Sequence, residues 1–364
     1  MGAAVFMTEN YITSPDQIAV TSERAGQVGL AVKVGQGSAS LRAAGPYTGA
    51  NPGQYIVTID SVNAGDGIGQ ATFKWRPTST TTWTAQGVAT ASTPVILEGG
   101  LTVAWSAGGG TELAVGDYWT ITVDKPFGKA KLLDLDRDTE WRSEKSDSGW
   151  DSLAIDLGAA RQVDAFALLD INIASTISLY MEGSADNFAT QPYSVQVNSG
   201  TAWGNFVHFT TGAPTYRYWR IRWSNWNNTD GYARIGTLYL GSKTTLTRNF
   251  DRQWSRSPVA AIYGPTGALR TARGVWAEAE ILDYAYRVMT EADRTAMVGI
   301  FRTMYSPAFG TVRPAIVNPD ADTPADVSLY EFDSPELAIT SPFVNFYEWQ
   351  LRLRQRVRTA RSGA

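Results

Sequence analysis

The sequence predicts an all-β protein made of several β-sandwich domains. Three observations lead to this prediction. The chain carries 34 glycines among 364 residues, 12% of its residues are aromatic, and its apolar residues mostly occur in short alternating runs. Glycine favours tight turns, while aromatic and β-branched residues in alternating runs are typical of half-buried strands. The length suffices for two or three hydrophobic cores, so we expect more than one domain.

Residues 28–127 are predicted to form a small β-sandwich. Alternating strand patterns occur at 54–60 and 71–76, and shorter ones follow at 94–97, 101–105 and 118–123. Glycine-containing turns separate these segments, as expected of consecutive short strands. The glycine-rich run at 65–69 is interpreted as a hairpin turn, because no helical pattern follows it as a dinucleotide-binding loop would require.

Residues 128–242 contain four stretches with a shared family likeness. These are Asp-Leu-Asp-Arg-Asp-Thr-Glu-Trp at 134–141, Ile-Asp-Leu-Gly at 155–158, and the segments 216–223 and 233–241. In this order and spacing they resemble the discoidin (coagulation factor 5/8 type C) family. The resemblance implies a galactose-binding-type β-jelly roll that binds sugars or membrane surfaces. It also implies that Trp141 is a core residue.

Residues 1–27 are interpreted as an N-terminal segment that supplies the first strand of this jelly roll. Such domains begin with an extended segment well before the aspartate-rich motif, and candidates occur at 10–15 and 18–23. The 28–127 sandwich would then be an insertion in a loop of the jelly roll. Insertions in exposed loops cost little closure entropy.

Residues 243–364 are predicted to form a third β-sandwich with one flanking helix at 290–304. Thr290 is a plausible N-cap with Asp293 three positions later, and apolar residues follow at helical spacing. In element order this region resembles the tube-forming and distal-tail proteins of tailed bacteriophages. The 28–127 sandwich resembles repeats of phage tail proteins at 49–55, around Trp75 and at 116–119.

The aspartate-rich loop is a candidate calcium site. Asp134, Asp136 and Thr139 match positions at which the discoidin resemblance implies calcium ligands, and calcium prefers such hard oxygens. The family's glycine after the first aspartate is Leu135 here, and its glutamate near 236–237 is absent. The alternative is a turn in which the Asp and Thr side chains bond local backbone groups.

The stretch 223–232 is the candidate glycan-binding loop. It breaks strand alternation and combines aromatic rings with amide and carboxylate groups, which suit the C–H faces and hydroxyls of sugars. The predicted contacts are Trp223, Trp226, Asn227, Asn228, Asp230 and Tyr232. The alternative is a hairpin loop with one tryptophan folded inward.

Composition argues against catalysis and against several kinds of partner. The chain has no cysteine and a single histidine, His208, in a strand-like context. Glu278, Glu280 and Asp283 are interpreted as a solvated strand face. A net charge of −4 does not favour nucleic acid, and no apolar run is long enough to insert in a membrane. We therefore expect a protein that is not an enzyme.

Four alternating arginines near the C-terminus form a candidate assembly interface. Arg352, Arg354, Arg356 and Arg358 would share one face of a strand. Such a strip is either a solvated edge protected against aggregation or a docking strip for an acidic neighbour.

These features together predict a structural virion protein of a phage tail tip or baseplate. It would contact other tail proteins and copies of itself, bind a glycan on the host surface, and assemble in the bacterial cytoplasm. The alternatives are an accessory carbohydrate-binding part of a polysaccharide-acting enzyme and a free bacterial lectin.

Overall fold

The structure is a computed structural model, which describes residues 3–21, 23–49, 52–62, 66–144, 150–173, 177–190, 192–197, 204–224, 232–246, 255–263, 274–306, 311–333 and 337–356. Strands make up 53% of the chain and helical residues 9%, which confirms the predicted all-β class. The chain divides into two compact units, Met1–Ser22 with Lys129–Ala364, and Glu23–Gly128. Within the described part, no helix has the length and apolar character needed to cross a membrane.

Two strands precede the second of these units: β1 (Val5–Asn10) and β2 (Ile18–Val20). The unit Glu23–Gly128 then contains β3 (Gln27–Val28), β4 (Val32–Val34), β5 (Ser40–Ala44), β6 (Gly53–Val62), β7 (Ala71–Pro77), β8 (Ala85–Ala89), β9 (Val95–Ile96), β10 (Thr102–Ser106) and β11 (Tyr118–Asp124). One sheet has the order β3-β11-β6-β7-β8, with β4 also paired to β11, and the other has the order β5-β10-β9. Large aromatic side chains, including Phe73, Trp105 and Trp119, fill its core.

The jelly roll uses strands from residues 141–245. They are β12 (Trp141–Arg142), β13 (Trp150–Gln162), β14 (Ala165–Ile171), β15 (Leu179–Ser184), β16 (Tyr193–Gln196), β17 (Gly204–Phe209), β18 (Thr215–Ser224), β19 (Arg234–Ile235) and β20 (Thr237–Thr245). One sheet runs β16-β15-β18-β13-β2, and the facing strands run β17-β14-β20-β1. Alternate residues of both sheets, such as Ile155, Phe166 and Trp219, form the core.

The N-terminal segment belongs to the jelly roll by its strand pairing. In β2, Ile18 lies opposite Ile155 and Val20 opposite Leu153, both antiparallel. In β1, Val5 lies opposite Thr245 of β20. The 3-10 turn between β1 and β2, Pro15–Gln17, starts with a capping box in which Ser14 accepts a hydrogen bond from the Asp16 amide.

The C-terminal region extends the second jelly-roll sheet. Its elements are β21 (Ser255–Tyr263), β22 (Gly274–Met289), α1 (Glu291–Met304), β23 (Tyr305–Ser306), β24 (Thr311–Val312), β25 (Ala315–Asn318), β26 (Ser328–Phe332), β27 (Ile339–Phe343) and β28 (Phe346–Gln355). Beyond β20, the sheet continues as β1-β25-β26-β28-β22-β21, and β27 also pairs with β28. Residues on both sides of the boundary predicted at 243 thus lie in one compact unit.

Helix α1 begins where its cap residues predict. The Thr290 hydroxyl accepts a hydrogen bond from the Asp293 amide (3.2 Å), and the Asp293 carboxylate accepts one from the Thr290 amide (3.1 Å). Met297, Ile300 and Met304 are buried against the sheet, next to Tyr284 and Leu351. This confirms the predicted helix, which directly follows the long strand β22 ending at Met289.

The C-terminal region covers the outer face of the jelly roll. Ala165, Ala167 and Leu169 of β14 point away from the jelly-roll core and pack with Ile316 and Leu329. Consequently β14 is buried on both faces, which accounts for its nearly continuous apolar sequence, Ala-Phe-Ala-Leu-Leu-Asp-Ile.

Candidate functional site

The predicted glycan-binding loop joins β18 to β19, and the structure describes its two ends. Trp226, Asn227, Asn228 and Asp230 lie outside the described residues. Ser224 closes β18 on one side, and Tyr232 resumes the described chain on the other. Each end adjoins an arginine stacked on an aromatic ring.

At the β18 end, Arg222 stacks on two rings. Its guanidinium lies 4.0 Å from the ring centroid of Trp150 and 5.6 Å from that of Tyr180. Trp150 is the residue opposite Ser224 in the β13–β18 ladder, and it is 45% exposed. An exposed indole therefore stands beside the start of the loop, with one cation against its ring.

A fully buried carboxylate holds this arginine in place. Glu182 is 0% exposed, and its two oxygens lie 2.7 Å from Arg222 Nη2 and 2.6 Å from Arg220 Nη2. Such charge-assisted contacts fix the direction of a guanidinium more tightly than solvent would. One carboxylate between two guanidinium groups leaves this surface with a net positive charge.

At the other end of the loop, a second carboxylate organises a second stack. Glu140 is 1% exposed and accepts a hydrogen bond from Arg142 Nε at 2.6 Å. Arg234 Nε approaches the second oxygen at 3.7 Å. The Arg142 guanidinium lies 4.6 Å from the ring centroid of Tyr232. This group again combines two cations, one anion and an aromatic ring.

Side-chain hydrogen bonds hold the backbone of residues 232–234, where the chain leaves the loop. Buried Asn172 accepts a hydrogen bond from the Arg234 amide (2.7 Å) and donates one to the Tyr232 carbonyl (3.0 Å). The Ser143 hydroxyl accepts one from the Ala233 amide (2.8 Å). These contacts satisfy backbone groups that have left a regular ladder, and they give the loop a fixed base.

Trp223 does not belong to the predicted sugar surface. It is 1% exposed and makes an edge contact with Trp141, with ring centroids 6.1 Å apart. The reason is strand alternation, which turns Trp219, Ile221 and Trp223 inward while Arg220 and Arg222 face outward. The prediction that Trp223 contacts a glycan is therefore wrong. Trp223 is instead the inward-folded tryptophan of the alternative interpretation.

The aspartate-rich loop is arranged as a turn. The Asp134 carboxylate accepts hydrogen bonds from the Thr139 hydroxyl (2.7 Å) and the Asp136 amide (3.1 Å), and Asp136 accepts one from the Asp138 amide (3.0 Å). Calcium requires six to eight oxygen ligands. In the described ranges, no group of three or more Asp, Glu, His or Cys side chains is placed to hold a metal. In this arrangement the side chains bond to one another and to the backbone, and they do not form the ligand set that calcium requires. Calcium at Asp134, Asp136 and Thr139 therefore stays a prediction.

Arg137, inside the same loop, links the jelly roll to the C-terminal region. Its guanidinium contacts both oxygens of Asp170, at 2.9 and 2.6 Å. It also donates to the Ser328 hydroxyl (3.1 Å) and the Arg356 carbonyl (2.8 Å). The central residue of the loop therefore has a structural role that the motif alone does not reveal.

The arginine strip pairs with carboxylates of its own chain. Arg354 Nη2 lies 2.7 Å and Arg352 Nε 3.2 Å from Asp333, and Arg356 Nε lies 3.4 Å from Glu331. Strand β28 also lies between β22 and β26, so the solvated-edge interpretation is wrong. Arg358 lies outside the described residues. The three described arginines keep about half of their side-chain surface exposed.

The residues considered for catalysis have ordinary strand environments. Asp283 lies 3.7 Å from Arg352, and Glu280 accepts a hydrogen bond from the Tyr330 hydroxyl (3.0 Å). The side chain of Glu278 is outside the description. His208 lies in β17, where burial and then the nearby Lys243 charge lower its pKa.

Sequence reasoning missed Trp150, Tyr180, Arg222, Glu140 and Arg142. One signal was available: Arg220 and Arg222 alternate with Trp219, Ile221 and Trp223, which marks a strand whose outer face is basic. The buried carboxylate beneath Arg220 and Arg222 is Glu182 of β15, a strand distant in sequence, so spacing alone could not pair them.

No protein-family model matches the sequence, and no curated protein matches it either. Solved structures similar to part of the chain include CpGH89CBM32-6 produced by Clostridium perfringens (15% identity, 30% of this chain and 82% of that chain, TM-score 0.25). Another is chitosan-binding module 1 from a chitosanase/glucanase of Paenibacillus sp. IK-5 (18% identity, 33% and 88%, TM-score 0.26). A third is the lectin domain of lectinolysin complexed with Lewis B antigen (13% identity, 30% and 80%, TM-score 0.25). At TM-scores this low, the likenesses assign neither an activity nor a ligand to this chain.

Proposed function

We propose that this protein binds a cell-surface carbohydrate through the loop at 225–231 of its jelly roll. The observation that carries the proposal is the fixed base of the loop, where Arg142 stacks on Tyr232 above buried Glu140. Trp226 supplies a ring face for a sugar, and Asn227, Asn228 and Asp230 supply hydrogen-bonding groups. A loop with anchored ends loses less conformational freedom on binding than a free one.

The charges at the loop base bear on the kind of sugar. Glu140 faces Arg142 and Arg234, and Glu182 faces Arg220 and Arg222, so each carboxylate contacts two guanidinium groups. Guanidinium groups donate to hydroxyl and carboxylate oxygens alike.

We propose binding rather than catalysis, because the chain has no cysteine and a single histidine in a strand.

The wider role we propose is that of a structural component of a phage tail tip or baseplate. It rests on the resemblance of residues 243–364 to tail proteins in element order, and of residues 28–127 to tail-protein repeats at 49–55, around Trp75 and at 116–119. The half-exposed guanidinium groups of Arg352, Arg354 and Arg356 are the candidate contacts with tail neighbours or copies of the chain. An accessory module of a polysaccharide-acting enzyme and a free lectin explain the sugar site equally well. Electron microscopy of the purified protein separates these roles, since rings or stacks support the tail component and persistent monomers support the others.

Replacing Trp226 and Asn228 together by alanine tests the sugar site. We expect binding on a glycan array to fall sharply, because the ring face and an amide are both lost, while the melting temperature stays unchanged. Trp83→Ala is the control, since Trp83 lies in the separate unit Glu23–Gly128. Normal glycan binding by the double variant would rule out this loop as the site.

Reversing Arg354 and Arg356 to glutamate tests the assembly interface. We expect oligomers to disappear from electron micrographs while glycan binding survives, because like charges facing an acidic neighbour oppose docking. These arginines also pair with Asp333 and Glu331, so a melting curve must accompany the assay. Arg294→Glu is the control for reversing a surface arginine already paired with a carboxylate. Oligomers that persist in the double variant would exclude the strip as an interface.

A further inference from the structure

The unit Glu23–Gly128 contains a pocket of about 450 Å³ at one end of its larger sheet. Small-molecule sites have volumes of about 300–1,000 Å³. Tyr47 and Tyr55 form its inner wall, Pro52 and Pro77 contribute apolar ring surface, and Gln54 and Glu98 stand among the polar groups of its rim. This combination of apolar surface and polar rim lies far along the chain from the loop at 225–231.

A chain of hydrogen bonds crosses the inner wall. The Tyr55 hydroxyl donates to Glu98 Oε1 (2.7 Å) and lies 3.3 Å from the Tyr47 hydroxyl. Because the one hydroxyl hydrogen of Tyr55 points to Glu98, the Tyr47 hydroxyl is the donor of the second pair. Burial, followed by the bonds to Tyr47 and Glu98, raises the pKa of Tyr55 above its ordinary value. The carboxylate of Glu98, itself exposed, is thus oriented at the pocket rim with further acceptor positions.

Two lining residues, Gly49 and Gly99, leave space in the pocket because they have no side chain. A Cβ on Gly99 would lie 2.8 Å from the Gly49 amide nitrogen, and a Cβ on Gly49 would lie 2.2 Å from the Tyr47 hydroxyl. Gly99 also has a φ of +56°, which other residues rarely adopt. The Thr48 amide donates to the Gly99 carbonyl (2.7 Å), which holds the two segments together. Backbone therefore approaches the tyrosine rings where any side chain would close the space.

We propose that this pocket is a second binding site, and that its ligand is a neutral saccharide. Glu98 is the one charged side chain among the described lining residues, and it is acidic, so phosphate, sulfate and uronic acid groups are disfavoured. The other polar lining groups are hydroxyls, an amide and backbone, which match sugar hydroxyls in both donors and acceptors. Proline and tyrosine carbons offer contact to the C–H faces of the ring. The site is independent of the proposed loop site in the jelly roll.

The test is to titrate the intact protein with methyl glucoside and with methyl galactoside. Calorimetry and saturation-transfer NMR measure the binding. Glucuronate and glucosamine are the anionic and cationic comparators. In the Trp226→Ala variant, which removes the ring of the jelly-roll loop, we expect the neutral glycosides still to bind and glucuronate not to bind. Tyr55→Phe and Glu98→Gln should each weaken binding roughly threefold to tenfold, since each alters one hydrogen bond of the site. Tyr118→Phe, which removes a hydroxyl from the same unit outside the pocket lining, should have no effect.

Three results would overturn the proposal. One is the absence of binding by either neutral glycoside. Another is binding that Tyr55→Phe and Glu98→Gln leave unchanged but Trp226→Ala abolishes, which would assign the signal to the jelly-roll loop and leave the proposed function intact. The third is preferential binding of glucosamine that Glu98→Gln removes, which would make the pocket a cation site. If Trp226→Ala leaves all binding normal while the pocket variants weaken it, the loop proposal fails and the pocket proposal stands.

Discussion

At the scale of single residues, Arg137 shows how a charged side chain can join two parts of a fold. Its ion-pair partner Asp170 has a φ of +55°, a left-handed conformation that aspartate tolerates better than most residues. The Asp170 amide donates to the Asn205 side chain (3.0 Å), and Asn205 in turn donates to the Val327 carbonyl (2.7 Å). Arg137, Asp170, Asn205 and the Val327 carbonyl are thus connected to one another, so each of these groups has a partner in a place with little solvent.

Arg137→Ala should lower the free energy of unfolding by about 2 kcal/mol, because it leaves a mostly buried carboxylate without its partner. The pair is 13% and 12% exposed at Arg137 and Asp170. Arg294→Ala is the matched control: Arg294 also forms a two-point ion pair, with Glu291, but at 40% and 52% exposure. Its loss should cost much less, because solvent screens an exposed ion pair. Urea unfolding of both variants measures the difference, and equal losses would contradict the buried role of Arg137.

His208 should make stability depend on pH near neutrality. Burial lowers its pKa below the ordinary value of 6.5, so the folded chain binds this proton less readily than the unfolded chain. The free energy of unfolding should therefore be highest above pH 6.5 and fall as the pH drops toward the folded pKa. Because this is the chain's one histidine, its imidazole NMR signal can be titrated without ambiguity. His208→Gln should flatten the stability profile between pH 7.5 and 5.5, and a titration midpoint at or above 6.5 would refute the prediction.

At the scale of elements, the loop 134–139 can be tested for dependence on calcium. Asp134 already accepts a hydrogen bond from the Thr139 hydroxyl and one from the Asp136 amide. We therefore expect Asp134→Ala to lower the melting temperature by the same amount in calcium and in chelator. Calorimetry of the unaltered protein with calcium is the companion measurement. A heat of binding, together with destabilisation confined to calcium-containing buffer, would instead support the ion predicted at Asp134, Asp136 and Thr139.

Patterns within a short stretch of sequence predicted the helices and strands better than they predicted which strands pair with one another. The cap pair Thr290 and Asp293 located helix α1 because both partners lie within one turn. By contrast, the carboxylate facing Arg354 is Asp333 on another strand, and strand pairing is set by contacts far apart in sequence. The sequence of β14 did hold a hint of burial on both faces, since Ala165, Phe166, Ala167, Leu168 and Leu169 are all apolar. At the candidate site, alternation along β18 could have placed Trp223 in the core, whereas Glu140 and Glu182 could be assigned only from the structure.

At the scale of the whole molecule, the unit Glu23–Gly128 should be dispensable for folding of the rest. Replacing residues 24–127 by a short Gly/Ser linker should leave a unit that unfolds cooperatively, because the two ends are held near each other. Lys129 Nζ donates to the Ile18 carbonyl (2.8 Å), and the Thr21 hydroxyl accepts a hydrogen bond from the Ser152 amide (2.8 Å). Circular dichroism melting and amide exchange in β2 are the measurements. Loss of protection in β2 would show that the unit Glu23–Gly128 is needed to hold that strand in place.

The position of β1 between β20 and β25 has a consequence for the order of folding. Val5 lies opposite both Thr245 and Asn318, so the strand is synthesised long before either of its partners. Until they emerge, Phe6 and Met7, both buried in the finished fold, have no sheet to join. Contacts of such long sequence separation form late, because the intervening chain must first give up its freedom. Pulse-labelled hydrogen exchange during refolding should therefore protect the β1 amides last, and early protection would contradict this sequence of events. A nascent chain would meanwhile expose an apolar strand, the kind of segment that chaperones shield from aggregation.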